Sequence, residues 1–408
     1  MDKVFLDLGI QPLANNFQKN LKSINQKFYR LKAIYNTNDF FVKIQKRISK
    51  NVMFNSKYPY RSSLSKTFLK NQKKLSKKIK NIFKPKKILE IGSNDGSFIK
   101  NFSIKKAICV EPCSNLAKIT KDKGYKTYSS YWNTSLAEKI KKDNGNVDVI
   151  YSANTITHIS DLKNVFNSIK KILNPDGVLI IEEPSLLECI KYNSYDQFYN
   201  EHIYIFSLLS LNRFLDLIGL CIFNVENVET HGGSLRYYIK FNENQKYKKT
   251  ENFFNQLKIE KKFGLKKLST YKQFSNRILN SKKKLIKILK TIKDSGKTVI
   301  GYGATAKSAT VLNFCKIDSN LIKFFVDTTP AKQFKYIPGT DIFIKPYSKK
   351  LIKKVDFIFL GAWNFKKEIF NKEKDFIKKK GRFIVHVPFP ARHKLGVSQQ
   401  YIDLFFIK

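Results

Sequence analysis

From Lys86 the chain reads KKILEIGSNDGSFIKNF. A short apolar run makes a buried strand, two glycines occupy the turn after it, and a helix begins. AICVEP, VDVIYSAN and GVLIIEEP repeat the strand pattern. Before the last of them lies DLKNVFNSIKKILNPDG, an amphipathic helix ending at a Pro-Asp-Gly turn. Apolar strands that alternate with helices bury both of their faces in a parallel sheet with helices on either side. The alternation begins again at Lys297, with KTVIGYGATAKSATVLNF, LIKFFVDTTP, VDFIFLGAW and GRFIVHVPF. The predicted fold class is therefore α/β, with two Rossmann-like units.

A chain of 408 residues exceeds one ordinary core. Residues 1–75 read as a small irregular N-terminal segment. MDKVFLDLGIQPLANNF suggests a short strand and a loop, FYRLKAIY and FFVKIQ are β-rich, and a turn at Pro59 leads into a helix that Ser62 or Ser63 would cap. Residues 76–245 hold the first α/β unit, with an apolar helix in SLLSLNRFLDLIGL and a strand pair around HGGSLRYYIKF. Residues 246–292 form a Lys-rich helical connector, and 293–408 the second unit.

The formal charge of +45 raises the question of a nucleic-acid partner. Only eight of the 77 basic residues are arginine, whereas bidentate phosphate and base readers favour that side chain. The lysines are spread along the whole chain, as solvated faces are. No nucleic-acid partner is expected, although an RNA methyltransferase stays among the rivals. The five cysteines form no CxxC pair and suit a reducing, cytoplasmic setting. Asp2 and Asp7 interrupt any leader-like apolar run, and no stretch is long and uncharged enough to span a membrane. No membrane partner is expected.

The turn LEIGSNDGSF carries Glu90, Gly92, Asn94, Asp95 and Gly96. Its carboxylates and its lack of a lysine disfavour a phosphate cradle and tolerate a cationic ligand. About 20 residues on, Glu111 closes the next strand in VEPCSN, where an acid can accept both hydroxyls of a ribose. The pairing resembles the class I S-adenosylmethionine (SAM) methyltransferases. The resemblance implies a SAM site formed by Glu90, Gly92, Asn94, Asp95, Gly96, Glu111, Pro112 and Asn154, and makes 76–245 the SAM-binding domain.

A more specific resemblance covers nearly the whole chain. LDLGIQPLANNF, YPYRSS, LEIGSNDGSF, SANTITHI, QFYNEHIYIFS, HGGSLR and GYGATAKS occur in this order. Together they resemble the sugar C-methyltransferases, which place a branching methyl on nucleotide-linked keto-deoxysugars. The resemblance implies that His202 removes the proton beside the sugar ketone and that Tyr199, Glu201, Tyr60 and His158 share the pocket. Residue chemistry agrees. An imidazole is suited to general-base work near neutral pH, a carboxylate beside it can orient it, and hydroxyl or imidazole donors can hold an enolate oxygen. His231, Ser234 and Arg236 are candidate sugar-nucleotide contacts, and Gly303 and Lys307 of the second glycine turn are candidate diphosphate contacts. His386 and His393 read as structural.

Two features depart from that family or compete with it. Members begin with a zinc domain of four cysteines. Here Asn36 and Asp39 stand where one CxxC pair would lie, the other pair would precede LDLGIQPLANNF, and no cysteine occurs before Cys109. Asn and Asp are not a tetrahedral zinc set, so no zinc is expected and 1–75 is read as a degenerate remnant. The second turn, Gly301-x-Gly303-x-x-Ala306 followed by Asp327, resembles a dinucleotide fingerprint. It keeps an NAD-dependent sugar-nucleotide oxidoreductase in view, beside an O- or N-methyltransferase acting on a small molecule. Sequence leaves the oligomeric state open.

Overall fold

The computed structural model describes residues 1–21 and 26–387; His393 lies outside them. Three antiparallel strands open the chain: β1 (Asp2–Pro12), β2 (Phe28–Asn36) and β3 (Val42–Ile44). β1 is longer than the short strand expected, and its Leu6 and Leu8 turn inward.

The strands β4 (Ile88–Ile91), β5 (Ala107–Val110), β6 (Lys126–Tyr128), β7 (Val147–Ala153) and β8 (Leu173–Pro184) follow in parallel. The two-residue β9 (Tyr204–Ile205) leaves them and pairs with β3, which joins the N-terminal sheet to the rest. Antiparallel β10 (Leu220–Val228) and β11 (Ser234–Phe241) complete a seven-stranded sheet in the order β10-β11-β8-β7-β4-β5-β6. β4 lies between β5 and β7, so its carboxyl end lies in the crevice where the strand order reverses, the usual ligand position in open α/β sheets.

Helices Glu251–Phe263 and Leu268–Asp294 form the connector. The longer one buries Tyr271, Phe274, Ile278, Leu285 and Leu289 at helical spacing and leaves its lysines in water. The strands β12 (Val299–Tyr302), β13 (Phe325–Asp327), β14 (Ile344–Pro346), β15 (Phe357–Leu360) and β16 (Arg382–Ile384) form a second parallel sheet in the order β14-β13-β12-β15-β16. β14 has no apolar run of its own to announce it. It is an edge strand of three residues.

Local signals hold in some places and are redirected in others. Asp161 caps helix Leu162–Ile172, but Pro175, Asp176 and Gly177, expected as a turn, lie within β8, where the pairing with β7 shifts register. The cap of helix Lys66–Ile82 is Ser65, whose hydroxyl accepts from the Phe68 amide; neither Ser62 nor Ser63 serves. Those two serines bond to the first glycine turn instead, as described below.

At the β2–β3 turn, Asn36 Oδ1 accepts from the amides of Asn38 and Asp39, and Asp39 Oδ1 accepts from the Phe41 amide. Side-chain acceptors thus close the turn by themselves. Tyr35 stacks on Tyr271 of the connector at 4.3 Å and donates to the Lys266 carbonyl. Among the described residues no group of three or more His, Cys, Asp or Glu is placed to hold a metal. Metal analysis is expected to find less than stoichiometric zinc, and a strong chelator to leave the melting temperature unchanged, because a structural metal would contribute folding energy directly.

Candidate active site

A cleft of about 900 Å³ opens at the carboxyl ends of β4, β5 and β7. The seven-stranded and the C-terminal sheets contribute to its walls, together with loops that follow the N-terminal strands. Gly92, Asn94, Glu111, Pro112 and Asn154 line one side, Tyr58 and Tyr60 roof it, and Phe54, His158, Tyr199, His202 and His231 stand on the floor. Gly303 and Lys307 close it from the second α/β unit.

The first glycine turn is shaped for a close backbone approach. Gly92 has φ +74°, and a Cβ there would overlap Thr155. Asn94 also adopts a positive φ of 49°. Its amide donates to Glu111 Oε2 at 2.8 Å, while Glu111 Oε1 accepts from the Cys113 amide at 2.8 Å. Burial raises the Glu111 carboxyl, and these two amides oppose that shift. Each carboxylate oxygen keeps a free lone pair for a hydroxyl. Asn154 Oδ1 is buried without a partner. An acid with spare acceptors and an unpartnered amide oxygen beside it fit an adenosyl ligand with a cationic sulfonium.

Not every turn residue reaches the cleft. Asn94 Oδ1 accepts from the Ser62 amide, and Asp95 Oδ2 accepts from the Ser63 amide and, at 2.5 Å, from its hydroxyl. Those bonds fasten the YPYRSS segment over the turn. Asp95, Gly96 and the buried Glu90 lie behind the lining. Burial holds the Glu90 carboxyl well above the usual range, with Asp95 and Glu111 adding to it.

The floor is a stack of rings. Phe54, His158 and His202 follow one another at 5.2 Å between centroids, and Tyr199 packs on His202 at 4.0 Å. The Tyr199 hydroxyl and His202 Nε2 share a hydrogen bond of 2.6 Å. Glu183 anchors the turn that carries His158, since its Oε1 accepts from the amides of Thr155, Ile156 and Thr157.

Glu201 is not the partner expected for the imidazole. Its carboxylate turns away and accepts from Asn15 Nδ2 at 2.7 Å and from the Tyr58 hydroxyl at 2.9 Å. Neighbours along an irregular backbone point to opposite sides, so the side chain three positions before His202 reaches it and the adjacent one does not. Tyr58 and Asn15 went unnoticed as site residues. Their only signal was that they lie in YPYRSS and LDLGIQPLANNF.

Burial sets the electrostatics. It lowers His158 to about 3 and His231 to about 3, and holds His202 well below its ordinary value, helped by the neighbouring His158, Lys307 and His231. Both rings of the stack are neutral near pH 7. Burial lifts the Glu201 carboxyl to about 7, against the donors Asn15 and Tyr58. A lowered imidazole stays unprotonated at every pH above its own value, so His202 sets no acid limb near pH 6.5. An inflection of kcat/KM near pH 7 is expected from Glu201 and is expected to vanish in Glu201→Gln.

The substrate-contact candidates divide. His231, with φ 53°, lines the cleft, and its carbonyl accepts from Lys307 Nζ at 3.2 Å. Lys307 is lowered to about 8 by burial, with Asp196 and Cys189 opposing the shift. Gly303 has φ +82° and packs against Ala362. Ser234 and Arg236 do not line the cleft. The Ser234 hydroxyl donates to the Thr230 carbonyl, and Arg236 bonds Glu182 at 2.7 Å and Glu226 at 2.9 Å. A guanidinium between two carboxylates, one of them fully buried, has no fork left for a phosphate. At the second turn, Asp327 Oδ2 accepts from the Ala304 amide and Oδ1 from the Thr329 amide.

Two family descriptions match the chain. "Methyltransferase domain" covers residues 60–224, and "C-methyltransferase C-terminal domain" covers 229–388. The C-methyltransferase NovU of Streptomyces niveus is 30% identical over 305 residues, spanning 74% of this chain and 72% of that protein. Among solved structures, a SAM-dependent methyltransferase of Thermotoga maritima, described as a possible histamine N-methyltransferase, is 17% identical. It covers 43% of this chain and 90% of its own, with a TM-score of 0.34. The plantazolicin methyltransferase BpumL with bound SAH is 11% identical over 43% of this chain and 84% of its own, also with a TM-score of 0.34.

Proposed function

The chain belongs to the SAM-dependent C-methyltransferase family, and from that premise we propose that it methylates a carbon beside the ketone of a nucleotide-linked keto-deoxysugar, with His202 as the general base. The observation that carries this reading is the Tyr199–His202 pair on the floor of the cleft that Gly92 and Glu111 line.

Gly92, Asn94, Glu111 and Asn154 would hold the methyl donor, which supplies an electrophilic methyl group when bound. The work of the chain's own residues then follows from their chemistry. A C–H beside a ketone is a weak acid, and its removal needs a base within hydrogen-bond reach. The neutral imidazole of His202 takes that proton. Tyr199 stays bonded to the ring and keeps its orientation. Tyr60 and His158, both in the lining, would donate toward the oxygen on which charge develops. The rings around them exclude water and strengthen those donations. Lys307 and the Gly303 turn face the same cavity from the far wall, where a diphosphate would lie. Alignment of the nucleophilic carbon with the methyl group supplies much of the remaining gain.

The test is turnover with SAM and a panel of keto-deoxysugar nucleotides. The expected product is heavier by one methylene unit, with the new methyl on carbon. A product methylated on oxygen or nitrogen would favour the small-molecule rival. A melting-temperature rise with NAD and none with SAM would favour the oxidoreductase, since a ligand raises the melting temperature only by binding the native state.

A further inference from the structure

The segment that carries Tyr199 and His202 begins at a buried carboxylate that the chemistry above does not use. Asp196 is 0% exposed, and it lies on the 3-10 turn Tyr195–Gln197. Its Oδ2 accepts from the Trp363 indole N–H at 2.5 Å and lies 3.0 Å from His386 Nε2. Burial alone would raise this carboxyl. His386, Lys307 and Trp363 outweigh burial and hold it below the usual range. An ionised carboxylate only accepts, so His386 Nε2 carries the proton in this bond.

Both partners come from the second α/β unit, and both follow strand ends: Trp363 after β15 and His386 after β16. The carboxylate of one unit is therefore plugged into the carboxyl edge of the other unit's sheet. A second tie lies beside it. Gln197 Nε2 donates to the His231 carbonyl at 2.6 Å, the same carbonyl that accepts from Lys307. Trp363 also packs against Gly232 so closely that a Cβ there would overlap its ring. Bonds to Asp196 and Gln197 thus fix the start of a segment whose sixth residue after Asp196 is His202.

We propose that Asp196, held by Trp363 and His386, is a positioning residue for the Tyr199–His202 pair, so that the second α/β unit sets the aim of the base. The proposal rests on the reading of His202 as the base. It adds that the base is oriented from outside the methyltransferase sheet, through a carboxylate that touches neither substrate nor donor. Loss of a buried carboxylate's partners is costly to the fold, whereas the near-isosteric amide keeps one oxygen acceptor for the indole N–H, removes the charge and replaces the other oxygen with an NH2 donor. Asp196→Asn separates aim from folding for that reason, and Trp363→Phe is the second variant, since it keeps a ring and removes the donor.

The experiment has two readouts on the full chain. The first needs no substrate: the ¹⁵N-resolved imidazole signals of His202, assigned by their loss in His202→Ala. These are expected to shift in Asp196→Asn and in Trp363→Phe while the dissociation constant for SAM stays within about threefold. The second is turnover, in which kcat is expected to fall roughly 30-fold in Asp196→Asn and about tenfold in Trp363→Phe, with KM for the sugar nucleotide changed less than threefold. Unshifted His202 signals and a kcat within twofold of the parent in both variants would overturn the positioning role. If His202→Ala itself turned over normally, the base assignment would fall, and the imidazole signals would still decide whether Asp196 orients that ring.

Discussion

His202→Ala is expected to lower turnover about a thousandfold, the middle of the range for loss of a general base. The ring lies in the cleft, is neutral, and has Tyr199 as its hydrogen-bond partner. Removing it leaves the Glu111 side of the cleft untouched, so the dissociation constant for SAM is expected to change less than threefold. The decisive measurement is exchange of the proton beside the ketone in D₂O with no SAM present. The parent enzyme is expected to exchange it, and the variant is not. Exchange at an equal rate in both, or equal turnover, would remove His202 from the chemistry and assign the proton transfer to another base.

Glu111→Ala is expected to weaken SAM binding by about 100-fold. Two hydroxyls bonded to one carboxylate are charge-assisted bonds, each of roughly 1.5–3 kcal/mol, and part of that is regained from water. The carboxylate also holds the amides of Asn94 and Cys113, so its loss loosens the turn that contains Gly92. Calorimetric titration measures the affinity directly. The melting-temperature rise caused by excess SAM is expected to shrink in parallel, since that rise depends on ligand concentration over the dissociation constant. Glu111→Gln is expected to lose less, because its amide oxygen still accepts one hydroxyl. An unchanged affinity in the alanine variant would place the ribose elsewhere in the cleft.

Much of the architecture was legible because its causes are local. The mostly apolar stretches Ile88–Ile91 and Val299–Tyr302 had only a few conformations open to them, and both became strands with a glycine turn at the carboxyl end. The reading of Glu111 as a strand-end acid needed no tertiary information either, since alternation and chain direction already place it beside the glycine turn. The family resemblance added what periodicity does not contain, chiefly the interest of Tyr199, His202 and His158.

Partner choice was a different matter. Glu201 stands next to His202 in the chain, yet it bonds Asn15 and Tyr58, which lie 186 and 143 positions away. Ser62 and Ser63 look like helix caps and instead fasten the roof of the cleft to Asn94 and Asp95. Arg236 looks like a phosphate contact and is occupied by Glu182 and Glu226. His386, which had only a structural look, meets Asp196 across 190 positions. Sequence alone determined the alternation of strands and helices in both α/β units, the two glycine turns and the chemical types gathered along them, because hydrophobic period and turn geometry act over a few residues. Tertiary structure decided which polar groups face one another, because a buried donor or acceptor bonds whatever the packed chain brings within about 3 Å, and that distance has no relation to sequence spacing.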